Sequence, residues 1–127
     1  MNRHFPFEFV NDENTIDPRD CLIVRVDNSL KTQRQLLQEI YAQLRTPYGG
    51  ENWDALRDVL ADLSWIDESA VALVHSSLPL RNETELRIYL RLLLEEARFW
   101  RADGLVRLRV VFANKFKEEI DAIELNR

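Results

Sequence analysis

The sequence predicts an α/β domain: a small three-stranded parallel sheet packed with helices. Three observations carry this. Cys21–Val26, Ala70–His75 and Leu105–Phe112 are short apolar runs of strand length, rich in β-branched residues. The stretches between them place apolar residues at helical spacing. Those stretches are also long enough to cross over between parallel strands, which a hairpin turn is not. At 127 residues the chain can bury a core without disulfides or metals. Its 46% hydrophobic and 31% charged residues are a globular balance, not a disordered one.

Residues 1–20 lack sustained periodicity and are expected to form an N-terminal extension. Within it Phe5, Phe7 and Phe9 alternate, as in a short strand or a tucked arm. The domain proper is expected over 21–112. After the first strand, Asp27, Asn28 and Ser29 offer capping chemistry for a helix from Leu30, with Leu36, Leu37, Ile40, Tyr41 and Leu44 on its apolar side. Pro47, Gly49 and Gly50 stop that helix. Asn52 can cap the next one, whose buried stripe is Trp53, Leu56, Val59, Leu60 and Leu63. Beyond the second strand, Asn82-Glu83-Thr84-Glu85 is similar to a capping box. Leu86, Tyr89, Leu90, Leu93, Ala97 and Trp100 continue that helix towards Gly104. In the third strand Arg107 and Arg109 alternate with apolar residues. Residues 113–127 form a tail with a weak helical pattern through Phe116, Ile120 and Ile123.

Cys21 is the only cysteine, which forbids an intrachain disulfide and argues against a cysteine-based zinc site. No apolar run approaches the roughly 18 residues of a membrane span, and the N-terminus lacks a signal-peptide pattern. A reducing, cytoplasmic setting is expected, without a membrane. The net charge of −5 is unevenly distributed. Residues 45–80 come to −4, with Arg45 and Arg57 against Glu51, Asp54, Asp58, Asp62, Asp67 and Glu68, whereas residues 81–117 come to +4. Nucleic-acid binding by phosphate neutralisation asks for a net basic face. Overall acidity favours a cationic protein partner over direct contact with nucleic acid. Arg98, Arg101, Arg107 and Arg109 read as solvated faces, with no stacking aromatics placed for RNA.

The acids of the second helix raise a sharper question. Asp54, Asp58 and Asp62 recur at i, i+4 and i+8 opposite the buried stripe, and each such like-charge pair costs about 0.2–0.5 kcal/mol in an isolated helix. Asp54, near the N-terminus, gains about 0.3–1 kcal/mol from the helix dipole. Asp58, beyond the first turn, does not. The stripe is either a solvated face or a surface for a partner. Gly49 and Gly50 either form a turn needing positive φ or admit another molecule's backbone. The carboxylates could hold Mg²⁺ in a metal-dependent hydrolase, yet all come from one exposed helix and not from a cleft. His75, followed by Ser76 and Ser77, reads as a polar strand end more readily than as part of a triad. His4 has no companion ligand. Trp53 and Trp100 fall on buried stripes, and Trp65 is core or interface rim.

The run Tyr48–Leu60, Y-G-G-E-N-W-D-A-L-R-D-V-L, resembles the central motif of the barstar family, intracellular inhibitors of barnase-type ribonucleases. That motif has an aromatic before the turn, then Gly, Asn, a hydrophobe, Asp-Ala-Leu and a second Asp four residues on. The likeness extends over roughly Cys21–Phe112 and implies the family's strand–helix–helix–strand–helix–strand order. It also implies that this face plugs the active site of a basic ribonuclease or toxin nuclease, one to one. On that likeness Asp58 enters the phosphate-binding pocket, while Asp54 and Tyr48 engage the rim and catalytic groups. Gly50 and Asn52 match the turn glycine and the capping asparagine. Glu96, with Glu95 adjoining it, is the nearest match to a glutamate on the long helix. Trp53, Arg57 and Asp62 complete the candidate partner-binding set. No cofactor or metal is expected. Arg57 departs from the family pattern, since the best-known member carries a tryptophan there. It either pairs with Asp54 or Asp58 in the free protein or meets a carboxylate on another target. The alternative to a ribonuclease inhibitor is therefore a barstar-like binding or immunity domain turned to another protein or toxin.

Overall fold

Four parallel strands and four helices emerge in the computed structural model, which describes residues 3–19 and 21–125. The ends of the extension and tail (Met1, Asn2, Asp20, Asn126 and Arg127) lie outside the described residues. In chain order the elements are β1 (Glu8–Val10), β2 (Cys21–Val26), α1 (Gln33–Leu44), α2 (Trp53–Asp62), β3 (Ala70–His75), α3 (Glu83–Ala102), β4 (Leu108–Ala113) and α4 (Lys117–Asp121). The sheet order is β1-β4-β3-β2, with every pair parallel.

The α/β expectation holds, but the sheet has four strands, not three. The extra one is β1, whose Glu8, Phe9 and Val10 pair with Val111, Phe112 and Ala113. The alternation of Phe5, Phe7 and Phe9 allows a short strand or a tucked arm there, and pairing between opposite ends of the chain makes residues 8–10 the strand. Side chains hold it there. The Arg109 guanidinium grips both Glu8 carboxylate oxygens at 2.6 and 2.9 Å, and Phe7 and Phe9 pack on the Phe112 ring. Arg3 bonds the Glu124 carboxylate at 2.7 Å, and the buried His4 ring bonds the Ile123 carbonyl at 3.2 Å, so the N-terminal arm is fastened to the tail.

Local chemistry explains the helix starts. Asn52 accepts from the Ala55 amide at 2.8 Å and opens α2. Asn82 does the same for α3 through the Glu85 amide at 3.0 Å. For α1 the cap is Thr32, in a reciprocal box with Gln35, and not the Asp27–Ser29 stretch. Asp27 instead holds its own turn through the Ser29 amide. The Leu30 and Lys31 carbonyls accept from the Leu80 and Arg81 amides, tying the loop after β2 to the loop after β3. Strand β4 starts at Leu108, later than the apolar run suggests, because Leu105 and Val106 lie exposed on the approach to it.

The two sheet faces are covered differently. Val24, Val26, Val71, Leu73, Val110 and Phe112 join the buried residues of all four helices in the main core. On the opposite face Cys21, Ala70, Ala72, Val74 and Val111 form a smaller cluster, closed by Ile16 from the connection between β1 and β2. This leaves the outer side of α2 and the turn before it free of sheet contacts.

Candidate protein-binding face

The turn before α2 is built around two tyrosines. The Tyr41 hydroxyl donates to the Gly50 carbonyl at 2.8 Å, which brings its ring over the turn. A Cβ on Gly49, where φ is +156°, would lie 2.8 Å from Tyr41 Cε2. The protein's own tyrosine therefore requires this glycine, through both backbone conformation and close approach. Tyr48 is 44% exposed. Its ring meets Trp65 edge-on at 5.7 Å between centroids, and Trp65 is anchored by its indole N–H on the Leu44 carbonyl at 2.9 Å. The Tyr48 hydroxyl donates to Asp62 Oδ2 at 2.7 Å. Partial burial, this bond and the charges of Asp62 and Asp58 push the Tyr48 phenol up to about 12. Hydrogen bonds from Tyr48 and then Ser64 hold the Asp62 carboxyl below its usual range.

The three acids of α2 are thus not equivalent. All are exposed, but Asp62 is engaged by Tyr48, whereas the Asp54 and Asp58 carboxylates make no hydrogen bond or ion pair among the described residues. Asn52 is occupied as the helix cap. Trp53 is half-buried, tilted against Tyr89 at 6.1 Å, and contributes mainly to the margin of the core. Glu51 lies 3.8 Å from Arg34.

Arg57 does not pair with Asp54 or Asp58. It reaches across to α3, where its Nη1 donates to Glu95 Oε2 at 2.6 Å and to Glu96 Oε1 at 3.5 Å. Glu95 is also 3.5 Å from Arg91. The two glutamates differ in setting: Glu95 is exposed, while Glu96 is 7% exposed. Burial raises the Glu96 carboxyl above its ordinary value; Arg57 opposes the shift, and the charges of Glu95 and Asp58 add to it. No local pattern announces the Arg57–Glu95 contact, because it spans 38 positions and exists only through the packing of α2 on α3.

Elsewhere the polar residues serve the fold. His75 is fully buried and stacks on Phe112 at 4.4 Å. Its Nδ1 donates to the Val111 carbonyl at 3.0 Å, and its Nε2 accepts from the Tyr89 hydroxyl at 2.7 Å. Burial outweighs the carbonyl contacts and lowers its pKa to about 4. Ser77 is engaged by the Asn28 amide, not by the imidazole. Of the arginines that read as solvated faces, Arg107 and Arg109 are half-buried and hold the fold together, whereas Arg98 and Arg101 remain exposed. Arg107 donates to the Leu63 carbonyl at 2.6 Å at the end of α2, and Arg109 holds Glu8. Arg98 donates to the Phe5 carbonyl, and Arg101 lies over the Phe5 ring. Among the described residues no three His, Cys, Asp or Glu side chains group where a metal ion could be held. No helix among them is long and apolar enough to cross a membrane.

Comparison with known proteins matches the family model described as Barstar (barnase inhibitor) to residues 22–113. No curated protein and no solved structure matches the chain significantly. The matched stretch contains the helices and strands from β2 to β4, the Tyr48 turn, and the α2 and α3 residues that surround Arg57. It leaves β1 and the tail outside. With its parallel core strands, its glycine turn and its acidic helix all inside a match to more than half of its length, the chain belongs to the barstar family.

Proposed function

We propose that this protein is an intracellular inhibitor of a basic, barnase-type ribonuclease, and that it blocks the enzyme's active site one to one with the Tyr48 turn and the outer side of α2. One observation carries the reading: Asp54 and Asp58 stand one turn apart, exposed, and among the described residues their carboxylates have no hydrogen-bond or ion-pair partner. Two unpartnered acids at this spacing repel each other, and a cationic cleft relieves that repulsion. Carboxylates enclosed against Arg, Lys or His⁺ make strong charge-assisted hydrogen bonds, and an acidic patch draws a basic enzyme in quickly. Tyr48, held at the edge of the same face by Asp62, supplies an aromatic rim. Gly50, Asn52 and Trp53 shape the turn and helix start, and Glu95 and Glu96 flank the face from α3.

The test is a titration of a barnase-type ribonuclease, following RNA cleavage, with Asp58→Ala alongside. Stoichiometric inhibition, weakened at least about 100-fold in the variant, is expected. Equal inhibition by both proteins would remove this face from the mechanism. Arg57 favours a second reading, in which the same face is turned towards another protein or toxin. Inactivity against the ribonuclease by a correctly folded protein would support it.

A further inference from the structure

We infer that Arg57 selects the partner: it favours a basic cleft bordered by a carboxylate and works against a cleft that is cationic throughout. The inference rests on the reading of this face as an active-site plug. Arg57 lies between Asp54 and Asp58 in the sequence of α2, with its side chain 41% exposed. Among the described residues only one of its nitrogens is engaged, Nη1, by Glu95 and Glu96. Its Nε and Nη2 hydrogens find no acceptor among the described residues.

A partner that closes over Asp58 takes these donors out of water. Arginine cannot give up its charge there, so the donors need an acceptor on the partner or remain buried and unsatisfied, which opposes binding. The lysines and arginines that would hold Asp54 and Asp58 have no lone pair to offer. A carboxylate does, and it also matches the planar fork of the guanidinium. Nor can Arg57 simply swing aside. Glu95 is shared with Arg91 at 3.5 Å, and among the described residues Arg57 is the only cation within ion-pairing distance of the mostly buried Glu96 carboxylate. Discrimination thus comes from a favourable contact in one partner and an unsatisfied cation in the other.

The experiment measures direct binding, by calorimetry, to two forms of a barnase-type ribonuclease. One is unmodified; in the other the carboxylates lining the cleft are replaced by their amides. The wild-type protein is expected to bind the amide form about tenfold more weakly or worse, whereas Arg57→Ala binds the two forms alike. Arg57→Gln, which retains a donor for Glu95 without the charge, should behave as Arg57→Ala does, and unchanged denaturation midpoints would show that both variants fold. A wild-type protein that binds the two forms equally, or an equal loss in wild type and both variants, would overturn the inference while leaving Asp58-dependent binding intact. Binding indifferent to Asp58→Ala, or no binding by any variant, would overturn the plug reading and this inference with it.

Discussion

A buried imidazole makes the stability of this protein depend on pH in a calculable way. His75 is held neutral, with a folded pKa of about 4 against about 6.5 in the unfolded chain. Between those values the unfolded state binds the extra proton, so stability is full above about pH 6.5 and falls as the pH drops towards 4. By pH 5 the loss from this one group comes to about 2 kcal/mol. Urea denaturation at pH 7 and pH 5 checks this, because His75→Gln should lack that component of the slope. Tyr48 offers a second reading at the same scale. Its phenol should ionise near pH 12, and Asp62→Asn should return it part of the way towards 10, read by ultraviolet titration against Tyr48→Phe. If the Asp62 bond positions the ring, Asp62→Asn also weakens partner binding several-fold without touching Asp58. None of this was legible from residue types alone. His4 and His75 look incidental in sequence, and both are fully enclosed. Gly49 could have served a partner's approach, but the ring it accommodates is that of Tyr41.

At the scale of elements, α2 is both core and candidate interface, and its two sides should separate under mutation. Leu60 is fully buried, and its carbonyl accepts the Trp100 indole N–H at 2.8 Å. Leu60→Ala should destabilise by roughly 2–5 kcal/mol through lost burial and a cavity. An unchanged midpoint in chemical denaturation would refute that placement. The starts of α2 and α3 were readable because Asn52 and Asn82 each cap an amide three residues ahead, an interaction visible in a short window. The start of α1 was misplaced although its signal, Thr32 and Gln35, is equally local; the run Asp27–Ser29 offered a competing set of capping residues. Leu105 and Val106 extend the apparent third strand in sequence because apolarity alone does not distinguish a paired residue from an exposed one. Strand β1 is half visible, since the alternation of Phe5, Phe7 and Phe9 allows a short strand or a tucked arm and only pairing with β4 decides for the strand.

For the molecule as a whole, the segregation of charge has a structural explanation. The basic segment supplies Arg107 to the end of α2 and Arg109 to Glu8, while Arg98 and Arg101 lie exposed beside Phe5, so only part of its surplus is spent on holding the fold. The acids of α2 are left facing outward. Association with a basic nuclease should therefore slow as salt rises, by about tenfold or more between 50 and 500 mM, with dissociation much less affected. Stopped-flow mixing would measure this, and a salt-independent on-rate would argue against electrostatic capture.

By itself the sequence determined the α/β class, the order of the main elements, the family motif and the outward placement of Asp54 and Asp58. Each depends on periodicity or capping within a few residues, or on a contiguous run of residue types. Tertiary structure alone decided the fourth strand, the burial of both histidines, the division of labour between Asp58 and Asp62, and the hold of Glu95 on Arg57. Those depend on contacts between residues far apart in the chain, such as the 101 positions between Glu8 and Arg109, which packing creates and no local pattern encodes.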